Sequence, residues 1–147
     1  MLKSIDPLLN AELLHVLRAM GHGDDLALVD CNFPATSVAG DRPLIRLDGV
    51  DIPRAGKAIL SVFPLDSFVE QPVRRMEVVG RPADEMPPVQ QDLQKIINEA
   101  EGRDWPMGSI ERFAFYQEAR KAFGVVATGE PRGYGCFLLK KGVILPE

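Results

Sequence analysis

Leu26–Val29 is a run of four apolar residues held between Asp25 and Asp30. It is too short for a helix and apolar at every position, as a strand buried on both faces must be. Such a strand needs cover above and below, so the rest of the chain has to supply a sheet and helices for both of its sides. The remaining pattern does so. Pro43–Leu47, residues 73–79 (VRRMEVV), VVATG ending at Gly129 and CFLL at 136–139 read as further short strands.

Helical segments separate them. Leu13, Leu14, Leu17 and Met20 share one face of a helix within residues 7–21, with Asn10 as N-cap and Gly21 as a left-handed stop. Asp51 and Pro53 open a second helix, which runs through Ile59, Val62 and Phe63 to Pro64. After a proline-rich loop at 80–88, a third helix is predicted from Pro88 to Ala100, with Val89, Leu93, Ile96, Ile97 and Ala100 inward and Gly102 as its stop. A fourth spans Ser109 to Phe123, with Phe115, Ala119, Ala122 and Phe123 inward. The expected architecture is a three-layer α/β/α sandwich. No repeat or linker interrupts it, so residues 1–147 are expected to form one domain, large enough to hold a core without disulfide or metal.

Composition narrows the function classes. The net charge is −4, and no block of five basic residues occurs, which argues against a nucleic-acid partner. Cys31 and Cys136 are far apart and belong to no CxxC or Cys/His run, so a reducing cytoplasm is expected. The opening MLKSIDPLLN is too weakly apolar for a signal peptide, and no run approaches the ~18 apolar residues of a membrane span. A soluble protein with no membrane partner is the reading.

Few residues can carry chemistry. His15 lies off the apolar stripe of the first helix, a surface or boundary position. His22 sits between Gly21 and Gly23, where no neighbouring side chain is expected to cover the ring, with Asp24, Asp25 and Asp30 close in sequence. An imidazole so presented suits proton transfer near neutrality. The alternative is a helix-ending turn whose histidine complements the helix dipole. Cys31 and His22 are conceivable as a nucleophilic pair, but a small buried cysteine beside a strand is the expectation. Arg112 and Tyr116 are spaced to share a helix face distinct from that of Phe115 and Ala119, either as a site pair or as an exposed Arg and a half-buried Tyr.

Standard templates fail. Lys57 is followed by Ala58, and Gly49 to Gly56 has the wrong spacing for a P-loop. The Gly21/Gly23 and Gly133/Gly135 pairs lack the third glycine of a dinucleotide fingerprint, and GxSxG, HExxH and metal-ligand clusters are missing. Neither cofactor nor metal is expected.

The run MGHGDDLALVDCNFPA at 20–35 resembles the MGHGDxxxxxDxxFP signature of the RbsD/FucU family of sugar mutarotases and pyranases. RLDG at 46–49, PLDSFVE at 64–70, IERFAFYQEARKAF at 110–123, ATGE at 127–130 and YGCFLLKKG at 134–142 extend the likeness in order along nearly the whole chain. The PLDS and ERFAFY segments are more similar to the L-fucose mutarotase branch than to the ribose pyranase branch.

The resemblance implies an RbsD-like mixed sheet and a cofactor-free isomerase that exchanges the α and β anomers of a free monosaccharide, L-fucose above others. It places His22 as the catalytic acid/base. Asp30 would bind sugar hydroxyls and orient His22, Arg112 would donate to sugar oxygens, and Tyr116 would bring a hydroxyl to the site. Tyr134 would contact sugar, Gly135 would allow close backbone approach, and Asp66 would lie near the pocket. The family pattern also implies a homo-oligomer larger than a dimer, in some cases a decamer of paired five-membered rings, with a site completed by the neighbouring subunit. One position departs: Cys136 stands where the family usually has Asn, trading an amide for a weak thiol partner and leaving substrate identity open. The alternatives are a D-ribose pyranase and a non-catalytic monosaccharide-binding or transport-accessory protein.

Overall fold

The computed structural model describes residues 1–147. Six strands form one sheet: β1 (Asp25–Val29), β2 (Leu44–Leu47), β3 (Val73–Met76), β4 (Gly108–Ile110), β5 (Gly124–Thr128) and β6 (Phe137–Lys140), in the order β2-β5-β1-β6-β3-β4. β1, β5 and β2 pair in parallel, as do β3 and β4; β6 lies between β1 and β3 and runs antiparallel to both. The sheet is therefore mixed, as expected.

Five helices cover it: α1 (Ala11–Ala19), α2 (Ala35–Ala39), α3 (Ile52–Leu60), α4 (Pro88–Glu101) and α5 (Arg112–Lys121). β1 shows the two-sided burial that its sequence requires. Leu26 and Leu28 pack with Leu13, Ile59 and Leu93 from α1, α3 and α4. Ala27 and Val29 pack with Val38, Phe115 and Ala119 from α2 and α5. Each large apolar side chain so buried contributes about 1.5–3 kcal/mol. No helix is long and apolar enough to cross a membrane.

Several boundaries differ from expectation. α1 stops at Ala19 with Met20 already extended, and the positive φ falls at Gly23 (φ 88) instead of Gly21. Gly21 N–H is taken by the Asp24 carboxylate at 2.7 Å, which folds the turn without a left-handed residue at 21. Val16 replaces the half-buried Leu14 in the core, and Ala100 is exposed on α4 while the polar Gln90 is fully buried. α3 ends at Leu60, before Val62 and Phe63, and β3 ends at Met76 instead of residue 79.

The predicted fourth helix begins too early. Gly108–Ile110 pairs with β3 as a strand, and Glu111 then caps α5 by accepting Phe113 N–H and Ala114 N–H at 2.9 and 3.0 Å. α2 was not anticipated at all. Five residues without a side-chain cap leave no periodic signature.

This topology has one consequence for function. The parallel strands deliver Asp30, Asp48, Glu77, Arg112 and Glu130 to one edge of the sheet, where the lead into β6 brings Tyr134, Gly135 and Cys136. The turn bearing His22 precedes β1, and so lies at the opposite edge with the end of β6.

Candidate active site

At the edge where the parallel strands end, Asp30, Arg112, Tyr116, Tyr134 and Cys136 surround an open cleft of about 240 Å³, with Asn32, Phe33 and Met76 completing its walls. Clefts at this end of an α/β sheet are the usual ligand positions. Arg112 opens α5, and Tyr116 follows one turn later on the same face. Arg112 Nε donates to the Tyr116 hydroxyl at 3.3 Å, which raises the already high proton affinity of the guanidinium. Tyr116 stacks on Phe33 at 5.4 Å between centroids, fixing its ring against the cleft wall.

Asp30 is 3% exposed and uses both oxygens locally. Oδ1 accepts Asn32 N–H and Phe33 N–H at 3.0 and 3.1 Å; Oδ2 accepts Gly135 N–H at 3.0 Å and the Cys136 thiol at 3.4 Å. It therefore ties the end of β1 to the lead into β6. Gly135 is close-packed here, since a Cβ would stand 3.3 Å from Asp30, Glu130 and Ile52 side-chain atoms. Burial and the neighbouring Asp30 carboxylate push the Cys136 thiol well above its ordinary range. Tyr134 is held at φ 62, and its hydroxyl accepts Val79 N–H at 3.3 Å.

Within one copy Asp30 cannot orient His22. The length of β1 separates them, and five residues at ~3.3 Å each span about 16 Å. Asp66 takes that role. His22 Nε2 lies 3.0 Å from Asp66 Oδ1, and the ring meets Phe68 edge to face at 5.1 Å between centroids. The imidazole is thus flanked by two side chains, contrary to the open setting expected of a Gly-His-Gly turn.

A carboxylate only accepts, so Nε2 carries the hydrogen in this bond, and in the neutral imidazole Nδ1 keeps its lone pair. The Asp66 side chain is nearly buried while that of His22 remains 39% exposed. Burial pushes the Asp66 carboxyl up, but Phe68 N–H, His22 and the cation of Lys140 outweigh it and hold the group below its ordinary value of 3.8. The end of β6 keeps the pair in register. Lys140 carbonyl accepts Asp66 N–H, Lys141 carbonyl accepts Gly23 N–H, and Lys140 Nζ donates to Gly23 carbonyl at 3.2 Å.

The two edges carry different chemistry: a carboxylate-backed imidazole on one, and a cleft of hydroxyl, guanidinium and apolar surface on the other. Residues 3–144 match the RbsD / FucU transport protein family. The chain is 48% identical to the fucose mutarotase of Danio rerio over 151 aligned positions, covering 99% of this chain and 96% of that one.

The chain belongs to the RbsD/FucU family.

Among solved RbsD/FucU structures, the fucose mutarotase of Streptococcus pneumoniae in complex with L-fucose superposes with a TM-score of 0.88 at 38% identity, covering 98% of this chain and 100% of that one. Bacillus subtilis RbsD complexed with D-ribose shares the fold at a TM-score of 0.71 but only 19% identity, over 99% of this chain and 100% of that one.

Other features of this RbsD/FucU chain were not foreseen. Glu130, in the ATGE run, is 1% exposed and accepts from Arg132 and from Ile52 N–H at the start of α3. Arg132 holds its carboxyl below the ordinary 4.5, against the opposing effect of burial. Arg132 also reaches Asp92 on α4 at 2.7 Å, so the loop carrying Tyr134 is anchored to two helices. The ATGE motif was the available signal. Cys31, expected to be buried, is exposed on the turn after β1, because its backbone N–H bonds to Glu130 carbonyl while its side chain points away from the core.

Proposed function

We propose that this protein exchanges the α and β anomers of a free monosaccharide, L-fucose first, at a site built from both sheet edges of two adjacent copies. The observation that carries this reading is the His22–Asp66 pair, whose Nδ1 is free to accept a proton. The identity to fucose mutarotases over nearly the whole chain supports L-fucose as substrate.

In the proposed reaction Nδ1 of His22 takes the proton of the anomeric hydroxyl as the C1–O5 bond breaks, and returns it to O5. The product is the neutral open-chain aldehyde. Rotation about C1–C2 and the reverse steps close the ring on the other face. Asp66 stabilises the imidazolium formed in between. Arg112 donates to sugar oxygens, Tyr116 and Tyr134 supply hydroxyls, and Asp30 keeps the Tyr134–Cys136 lead in place with its carboxylate at the cleft wall. Proton transfer within a neutral sugar requires no cofactor.

One copy cannot bring His22 to the cleft, because β1 lies between them. Apolar side chains border both edges: Phe68, 65% exposed, beside His22, and Phe113, also 65% exposed, beside Arg112. Joining the first edge to the second edge of a neighbour is a head-to-tail contact, which closes into a ring when the rotation permits. A ring, alone or paired into a decamer, follows from this reading. Two unpaired cysteines accord with a cytoplasmic setting.

Saturation-transfer NMR on L-fucose, D-galactose and D-ribose tests the proposal. Exchange of fucose anomers is expected to exceed that seen with His22→Ala; equal exchange by both proteins for every sugar would end the enzymatic reading. The second reading is a monosaccharide-binding protein without catalysis, which would use the same cleft and leave the proton transfer unused. Tight sugar binding without exchange would select it.

A further inference from the structure

Arg75 and Gln90 are among the buried polar residues that the proton-transfer scheme leaves unused. Arg75, on β3, is 4% exposed and Gln90, on α4, is fully buried. Arg75 makes no salt bridge. Its guanidinium donates to Ala83 carbonyl at 2.6 Å, to Glu85 carbonyl at 3.3 Å and to Gln90 Oε1 at 3.2 Å, while Nε has no partner. A buried cation with no carboxylate in contact, Glu77 and Asp84 acting on it only at longer range, opposes folding, so its presence requires a gain elsewhere.

That gain lies in what Gln90 does next. With Oε1 fixed by Arg75, the amide nitrogen is compelled to point the other way, where it donates to Met76 carbonyl at 2.8 Å and to Tyr134 carbonyl at 3.0 Å. Tyr134 has a φ of 62, a left-handed conformation that a bulky non-glycine residue rarely adopts and keeps only when its surroundings impose it. The loop that Arg75 holds through Ala83 and Glu85 also carries Val79, whose N–H fixes the Tyr134 hydroxyl. Backbone and side chain of Tyr134 are therefore both set from the same buried cation.

We propose that Arg75 and Gln90 are positioning residues for Tyr134, holding it in its left-handed conformation and aiming it into the cleft. The consequence for activity rests on the reading of that cleft as a sugar site; the consequence for Tyr134 itself does not.

Gln90→Glu separates positioning from simple stability. A glutamate gives Arg75 its missing counter-charge but removes both amide donors. The chain has two tyrosines, Tyr116 and Tyr134, so 3-fluorotyrosine labelling gives two ¹⁹F signals, assigned with Tyr116→Phe. In sugar-free protein, Gln90→Glu is expected to shift or broaden the Tyr134 signal and leave that of Tyr116 in place. With L-fucose, KM is expected to rise about tenfold with kcat little changed, the loss of one good hydrogen bond to a contact residue. In a Tyr134→Ala background the same substitution should change KM by less than about twofold.

Arg75→Met, which removes the unpaired cation and frees Gln90 to rotate, is expected to move the Tyr134 signal in the same direction and keeps the test open if Gln90→Glu does not fold. An unmoved Tyr134 signal in the folded variants would overturn the proposal. So would a KM penalty of equal size in the Tyr134→Ala background. If wild-type protein exchanges no sugar, the function fails while the fluorine signals still decide the positioning.

Discussion

Asp66 and Asp30 are both nearly buried carboxylates, at opposite edges of one sheet, and they are used in different ways. Asp30 spends its oxygens on backbone N–H groups and a thiol, and so shapes the cleft without a free valence for moving protons. Asp66 gives one oxygen to a half-exposed imidazole and is backed by Lys140. The first edge is a hydrogen-bonded cleft; the second presents a carboxylate-backed imidazole. The antiparallel β6 spans the distance between them, carrying the chain from Cys136 at one edge to Lys140 at the other.

The largest expected effect breaks the second edge alone. His22→Ala should lower sugar exchange by about 10²–10⁴-fold, the usual contribution of one acid/base group, as read by saturation transfer, with the Tyr134 cleft intact. Asp66→Asn should be milder. It keeps a neutral hydrogen bond and loses the charge-assisted part, about 1.5 kcal/mol or roughly tenfold in kcat.

At the other edge the frame is expected to fail through stability. Glu130→Gln turns one of the two accepting oxygens into an amide donor facing the N–H groups of Arg132 or Ile52, removes the charge, and should cost about 1–3 kcal/mol at pH 7 in urea unfolding. Because the folded Glu130 carboxyl is held below its ordinary 4.5, its contribution is full above that value and drains as pH falls through the lower folded one. The gap between wild type and variant should therefore be constant from pH 7 to about 5 and close in more acid solution. The smallest effect concerns the thiols. Exposed Cys31 should react with a disulfide reagent in the native protein, while Cys136, buried and pushed up by burial and Asp30, should react only after unfolding.

What could be read from the sequence follows the range of the interaction involved. β1, β5 and the helices of one face, α1, α3 and α4, declare themselves through local period and caps such as Asn10 and Asp51. β4 does not, because Gly108–Ile110 is a strand only by pairing with β3, and Gly108 is needed where a Cβ would run into Gln71. Glu111 hid the true start of α5, since glutamate is not among the preferred N-caps.

In the site, Arg112 with Tyr116 and the Tyr134–Cys136 run were legible because neighbours on a helix or loop stay together. The resemblance implied that Asp30 orients His22, and the extended β1 between them prevents that within one copy. Their partners are distant in sequence: Asp66 lies 44 residues from His22, and Gly135 lies 105 residues from Asp30. Gln90 and Arg75 occupy core positions where a period argument expects apolar side chains, so nothing local marks them.

In the proposed assembly the base and the cleft come from different copies. Mixing His22→Ala protein with Tyr134→Ala protein, unfolding both and refolding them together, tests it most directly. If each site takes His22 from one copy and Tyr134 from the next, random assembly restores about a quarter of the sites, and fucose exchange should recover to about a quarter of wild type per site. Exchange that stays at the level of the separate variants would contradict it.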